Sequence, residues 1–349
     1  MKPVSETTVD DLTAFAGWSA MGRRLLSIPA FFGMFVLVWG LAVIWLPLAL
    51  ATDLMRGGKL RITRFGSHLA WALGCEVYGI LSCFGFWLLR QTLRTSGVRY
   101  RAQHLRLQSR WAALHFLGMR WIYGTRMEVE DPESLGTEPM LLFLRHASLL
   151  DTLLPSVVIQ NPNDIALRYI MKKELLWAPC LDLVGHRLPN CFVDRYSADS
   201  NQQIEKVRRM TADLSPREGV LIYPEGTRST PEKRMRAMAR LREMDPDFAE
   251  RVDGFKNVLP PRPGGPLALL QENPGLDVVF CSHVGFEQAA TIKQLVNGAL
   301  IDRTIRVRFW RVPFSEIPKT SAARVDWLIE HWRQVDQWIE DQSTPTGRA

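Results

Sequence analysis

The chain has 349 residues, enough for two domains at roughly 100–200 residues each. Apolar residues make up 47% and charged residues 23%, which excludes a disordered tail or a collagen; five scattered cysteines with no C-x-x-C pair exclude a disulfide framework, argue against a zinc ribbon and point to a reducing compartment. The net charge of +7 sits wholly in residues 1–130, which hold 15 Lys/Arg against 7 Asp/Glu, whereas residues 131–349 balance at −1, which argues against a nucleic-acid reader and for an anionic membrane surface beside the N-terminal third.

That N-terminal third reads as a membrane module. From Leu25 to Thr52 no residue is charged, a run of 28 where about 20 apolar residues span the hydrocarbon core. A signal peptide fits poorly, because the run is long and follows Glu6, Asp10 and Asp11. A second apolar stretch, Phe65 to Leu89, is interrupted by His68 and Glu76. A carboxyl at membrane depth costs about 3 kcal/mol on insertion scales, so this stretch need not cross fully. Arg23 and Arg24 precede the first stretch, Arg56, Lys59, Arg61 and Arg64 lie between the two, and Arg90, Arg94, Arg99 and Arg101 follow. Two full spans would put the middle flank on the opposite side from the outer ones, against the preference of Lys and Arg for the cytoplasmic face. A hairpin resting in one leaflet satisfies all three flanks; both arrangements stay open. Residues 1–110 are assigned to the anchor and 111–349 to a second, soluble domain.

After Arg101 the chain becomes water-compatible. Strand-like runs fall at Arg126–Glu130, Met140–Arg145, Leu167–Met171, Cys191–Asp194, Val220–Tyr223, Val278–His283 and Thr304–Trp310. Helical stretches lie between them, at Asn201–Leu214, Pro231–Glu243, Pro266–Glu272 and Ser321–Asp341. The expected fold is α/β: a mixed, largely parallel sheet flanked by helices, preceded by an N-terminal hydrophobic helical hairpin.

Four loops carry candidate chemistry. His146 ends the apolar run Leu141–Leu144, at the strand edge where α/β sheets place their sites. Asp151 follows five residues later, about 140° around a regular helix, so the two meet only if His146 lies in the preceding turn and Asp151 reaches back. Ser148 and Asp151 also fit a capping box, which would make Asp151 a plain cap. Next, Pro224-Glu225-Gly226-Thr227-Arg228-Ser229 joins a carboxylate, a glycine and a forked guanidinium suited to phosphate. An ordinary strand–loop junction is the alternative. Phe192-Val193-Asp194-Arg195 and Leu259-Pro260-Pro261-Arg262-Pro263-Gly264-Gly265 each end in display of an Arg.

In this order and spacing, the four blocks resemble those of the glycerolipid acyltransferase family, the lysophospholipid acyltransferases typified by 1-acylglycerol-3-phosphate acyltransferase. Lys172-Lys173-Glu174-Leu175 also looks like that family's stretch between the first two blocks, and the resemblance covers about residues 115–315. Arg145 stands where many members have Asn. The Pro-Arg block with its glycines is closer to the lysocardiolipin and lysophosphatidylinositol branch.

The resemblance implies acyl transfer from a thioester, acyl-CoA or acyl carrier protein, to the free hydroxyl of a lysophospholipid. His146 would be the general base and Asp151 its orienting partner. Glu225, Gly226, Thr227 and Arg228 would bind the acceptor's phosphate and glycerol, with Arg195 and Lys173 adding charge and Arg262 serving either the acceptor or the thioester carrier. No metal or redox cofactor is implied, and no Gly-x-Ser-x-Gly nucleophile elbow is present. The expected location is a membrane, on its cytoplasmic face and the inner membrane in a bacterium. A non-catalytic lipid-binding protein of the same fold, or a CoA-independent transacylase or hydrolase, are the competing classes.

Overall fold

The computed structural model describes residues 18–343 apart from 161, 163, 164, 195–198 and 213. The described residues begin with four helices. The first apolar run forms two, α1 (Trp18–Gly40) and α2 (Ala42–Met55), interrupted at Leu41 beside Gly40. The second run lies within one 33-residue helix, α3 (Arg61–Leu93). Ser96 caps α4 (Gly97–Tyr123) by accepting from the Arg99 amide, and Gly124 ends it with φ +73°, a left-handed conformation that suits glycine. Ala20–Gly40 and α3 are both long and apolar enough to cross a membrane. Much of α1 and α2 is bare: Leu25, Leu26, Val36, Leu37, Ile44, Leu48 and Leu54 are exposed, and Val43 is 80% exposed. An apolar surface of this extent marks a membrane or partner contact.

Glu76 of α3 is not turned to lipid. It is buried and accepts a hydrogen bond from the Cys180 amide (3.2 Å) at the start of α5 (Pro179–Gly185). The expected division between residues 110 and 111 falls inside α4, whose first half packs against Cys83 and α5 while Ala112, Phe116, Met119 and Tyr123 enter the core beneath the sheet.

Seven strands form one sheet, and each coincides with a run expected from the sequence: β1 (Arg126–Glu130), β2 (Met140–Leu144), β3 (Ala166–Lys172), β4 (Cys191–Val193), β5 (Glu218–Ile222), β6 (Asp277–Val284) and β7 (Thr304–Val312). Their order is β1-β7-β6-β2-β5-β3-β4, and every neighbouring pair is parallel except β6–β7. The central strand β2 is wholly buried because both faces of the sheet are covered. Met140, Leu142 and Leu144 join the core under α4, with Leu221, Val279 and Cys281 from its neighbours. Leu141 and Phe143 join the opposite core, with Val220, Phe280 and Trp332 of α11 (Ser321–Ser343). Between β5 and β6 lie α7 (Pro231–Met244), α8 (Pro246–Arg251) and α9 (Gly264–Gln271); α6 (Ser200–Arg208) precedes β5, and α10 (Ile292–Val296) precedes β7.

Candidate active site

The site forms at the C-terminal ends of three adjacent strands, β6, β2 and β5. The chain leaves β2 and turns at Arg145–Ser148 before a 3₁₀ turn at Leu150–Leu153. His146 lies in that turn and Asp151 reaches back from the 3₁₀ segment. His146 Nδ1 and Asp151 Oδ1 are 2.9 Å apart. Asp151 Oδ2 accepts from the amides of Ala147 (2.6 Å) and Ser148 (2.7 Å). Asp151 thus makes both kinds of contact: one oxygen caps the turn and the other faces the imidazole. Ser148 departs from the capping box, since its hydroxyl donates to the Ala289 carbonyl (2.8 Å).

Asp151 is completely buried. Burial alone would raise its pKa, but the neighbouring His146 and His283 outweigh it and hold the carboxyl well below the usual carboxylate range. An ionised Asp151 accepts from Nδ1 in the tautomer protonated there, in which Nε2 is the nitrogen without a proton.

The Tyr223 ring lies 4.5 Å from the His146 ring, tilted by 36°. Beside them opens a cavity of about 1150 Å³, counting the space continuous with solvent at its mouth. His146, Leu149 and Arg228 line one part, and Trp111, Cys180, Leu181 and Val184 another, so the cavity runs from the His toward the packing of α4 and α5.

The loop after β5 holds His146 from both sides. Glu225 Oε1 accepts from the His146 amide (2.8 Å), and the Ser229 amide donates to the His146 carbonyl (2.6 Å). Glu225 Oε2 accepts from the Leu259 amide (2.9 Å). Glu225 is 1% exposed, with both oxygens engaged. Glu225 ties the His turn to the Pro-rich block, and it is not among the residues that line the cavity. Burial pushes its carboxyl up to about 8, against the pull of the His146 and Leu259 amides and of Arg145.

Arg228 reaches the cavity and donates to the Ala290 carbonyl (3.2 Å). Thr227 Oγ1 accepts from Lys233 Nζ (3.3 Å), which also donates to the Arg228 carbonyl (3.2 Å). Gly226 has φ +67°, and a Cβ there would lie 3.0 Å from Arg262 Cδ, so glycine lets the exposed Arg262 stem pack on this loop. The loop thus gathers Arg228, Lys233 and Arg262. Lys173 is elsewhere engaged, in an ion pair with Asp194, and it is Lys172 that lines the cavity. Arg195 lies outside the described residues. Arg145 points away from the site: its buried guanidinium donates to the His283 carbonyl, Glu287 and the Asn257 carbonyl.

Three side chains here escaped the sequence reading: Tyr223, Lys233 and His283. His283 had a legible signal. Cys281 pairs with Leu144 in the β2–β6 ladder, so two residues further on His283 comes level with His146, on the same face. Among the described residues, no group of three or more His, Cys, Asp or Glu is placed to hold a metal ion.

Residues 126–249 match a family model described as Acyltransferase. A curated relative from Gallus gallus, Lysocardiolipin acyltransferase 1, is 22% identical over 240 residues, 66% of this chain; the chain spans 61% of that protein's length. Among solved structures, the 1-acyl-sn-glycerophosphate (LPA) acyltransferase PlsC from Thermotoga maritima aligns with a TM-score of 0.46 and 15% identity, over 78% of this chain and 100% of the other. The sequence blocks thus gather in one α/β domain, of which residues 126–249 are similar to the acyltransferase family.

Proposed function

We propose that this protein is a membrane-bound O-acyltransferase that moves a fatty acyl chain from a thioester, acyl-CoA or acyl carrier protein, to the free hydroxyl of a lysophospholipid. The observation that carries this reading is the His146–Asp151 pair, whose His146 lines a largely apolar cavity. His146 Nε2 takes the proton from the acceptor hydroxyl as its oxygen attacks the thioester carbonyl. The C–S bond breaks, and the departing thiolate receives the proton from the imidazolium. Asp151 stabilises that cation and fixes the tautomer, so the substrate hydroxyl serves as nucleophile. Arg228, with Thr227, Lys233 and Arg262 around it, supplies the charge for an acceptor phosphate. The acyl chain occupies the cavity toward α4 and α5. The donor's carrier and the acceptor headgroup are left as classes.

The membrane arrangement favoured by the contacts is a helical sheath lying in one leaflet. Arg23 and Arg24, at one end of the first apolar run, both bond Asp182 of α5 (2.9–3.1 Å). At its other end, Arg64 donates to the Ile122 carbonyl (2.8 Å) and Lys59 faces Asp302 (3.9 Å). Both basic flanks therefore meet the same water-facing domain.

The test is transfer of a labelled acyl chain from acyl-CoA to a panel of lysophospholipids in isolated membranes. Replacing His146→Ala should lower the rate by about 10²–10⁴, the usual worth of a general base, at unchanged protein level. Near-full activity would sink the mechanism. Release of free CoA without lysolipid would instead favour the hydrolase class.

A further inference from the structure

We propose that His283 is a positioning residue of this site, a second imidazole that holds the Asp151 carboxylate and the His146 turn in register; the proposal rests on the acyl-transfer reading above. His283 is the penultimate residue of β6, is fully buried, and faces Oδ2 of Asp151, whereas His146 faces Oδ1. Its Nε2 is 3.2 Å from the Arg145 carbonyl oxygen and 3.5 Å from Asp151 Oδ2. Both neighbours are acceptors, so Nε2 carries the proton. Nδ1 is buried and has no hydrogen-bond partner among the described residues.

One N–H thus addresses both ends of the turn from 145 to 151. At 3.2 Å the contact with the Arg145 carbonyl is a hydrogen bond, which fixes the peptide that precedes His146. The contact with Asp151 is longer than a hydrogen bond, and acts as a dipole aimed at a carboxylate in surroundings that screen it little. The Arg145 guanidinium completes the exchange by donating back to the His283 carbonyl. The Phe286 ring stands edge-on at 5.7 Å and limits the tilt of the imidazole. With the Ala147 and Ser148 amides also on Oδ2, Asp151 has one oxygen fully committed and the other aimed at His146. Removing the His283 donor frees the carboxylate and the 145–146 peptide to shift. A displacement near 1 Å at a reacting group costs up to about a hundredfold in rate.

The experiment compares His283→Phe, His283→Gln and His283→Asn in the full-length enzyme, with activity normalised to folded protein by size exclusion in detergent. A positioning role predicts that kcat falls about tenfold or more in His283→Phe while the KM values for thioester and lysolipid stay within about twofold. His283→Gln, whose amide reaches the Nε2 position, should recover most of kcat. His283→Asn, whose amide reaches only the Nδ1 position, should not. Unchanged kcat in His283→Phe, or equal loss in Gln and Asn, would overturn the proposal. The outcomes separate from those of the parent reading: an active His146→Ala removes the base assignment itself, whereas an inactive His146→Ala beside a fully active His283→Phe removes the positioning role alone.

Discussion

Glu225 shows how one buried side chain can tie two parts of a site together. Its two oxygens join the amides of His146 and Leu259, residues 113 positions apart in sequence, across the ends of β2 and β5. Its folded pKa of about 8 lies above the ordinary 4.5. For such a group the stabilisation is fully present below the unfolded value and declines as pH rises through the folded one. Wild-type stability should therefore lose this contribution between about pH 4.5 and 8. Glu225→Gln should remove the dependence, because an amide does not titrate. It should also cost about 1–3 kcal/mol by leaving one backbone N–H without its acceptor. Thermal melts of both proteins from pH 5 to 8 test this: the wild-type advantage must shrink as pH rises, and a constant gap would contradict it. The sequence marks Glu225 as a site residue through its loop, but not that its oxygens point inward. That fact depends on Leu259, which only the fold brings near.

Among the elements, the sheet was the most legible part. Seven apolar runs with turn residues between them carry their own periodicity, and each became a strand. Long-range contacts decide what periodicity does not reveal. The run from Leu25 to Thr52 has uniform composition, so its division at Leu41 left no trace in hydropathy. Glu76 looked out of place in an apolar stretch until α5 supplied the Cys180 amide as its donor. The α3–α5 packing is close: a Cβ at Gly79 would press into the Cys180 side chain and approach Trp111. Gly79→Leu should therefore destabilise the protein by about 1–3 kcal/mol through overpacking, seen as a lower Tm in detergent. Because Cys180 and Trp111 also line the cavity, that variant should lose more activity with long-chain thioesters than with short ones. An unaltered Tm and chain-length profile would show that α5 does not form the deep wall.

At the scale of the whole molecule, the helices at the N-terminus and the sheet domain form one body joined by charge. Asp182 is buried and receives Arg23, Arg24 and His186. Burial opposes its ionisation, yet these donors hold its carboxyl well below the usual range. The sheath reading predicts that both ends of the first apolar run face the same compartment. Gly22 and Gly58 have room for a side chain, and all five native cysteines are buried. Single Gly22→Cys and Gly58→Cys variants in sealed vesicles should react with an impermeant maleimide from the same face. Labelling from opposite faces would establish a crossing instead. The flank charges in the sequence left both arrangements open, because charge sets a preference for one side and not a path through the bilayer.

The bare apolar surface of α1 and α2 has a kinetic consequence. An enzyme half-sunk in a leaflet meets its lipid substrate by lateral diffusion, so the concentration that governs its rate is a mole fraction in the plane and not a molarity in the bulk. Diluting a lysolipid with inert phospholipid should slow such an enzyme even when the total amount of substrate in the tube is unchanged. The second substrate, arriving from water, obeys ordinary volume concentration. The two reactants are then drawn from spaces of different dimension, and under the proposed mechanism they meet at His146.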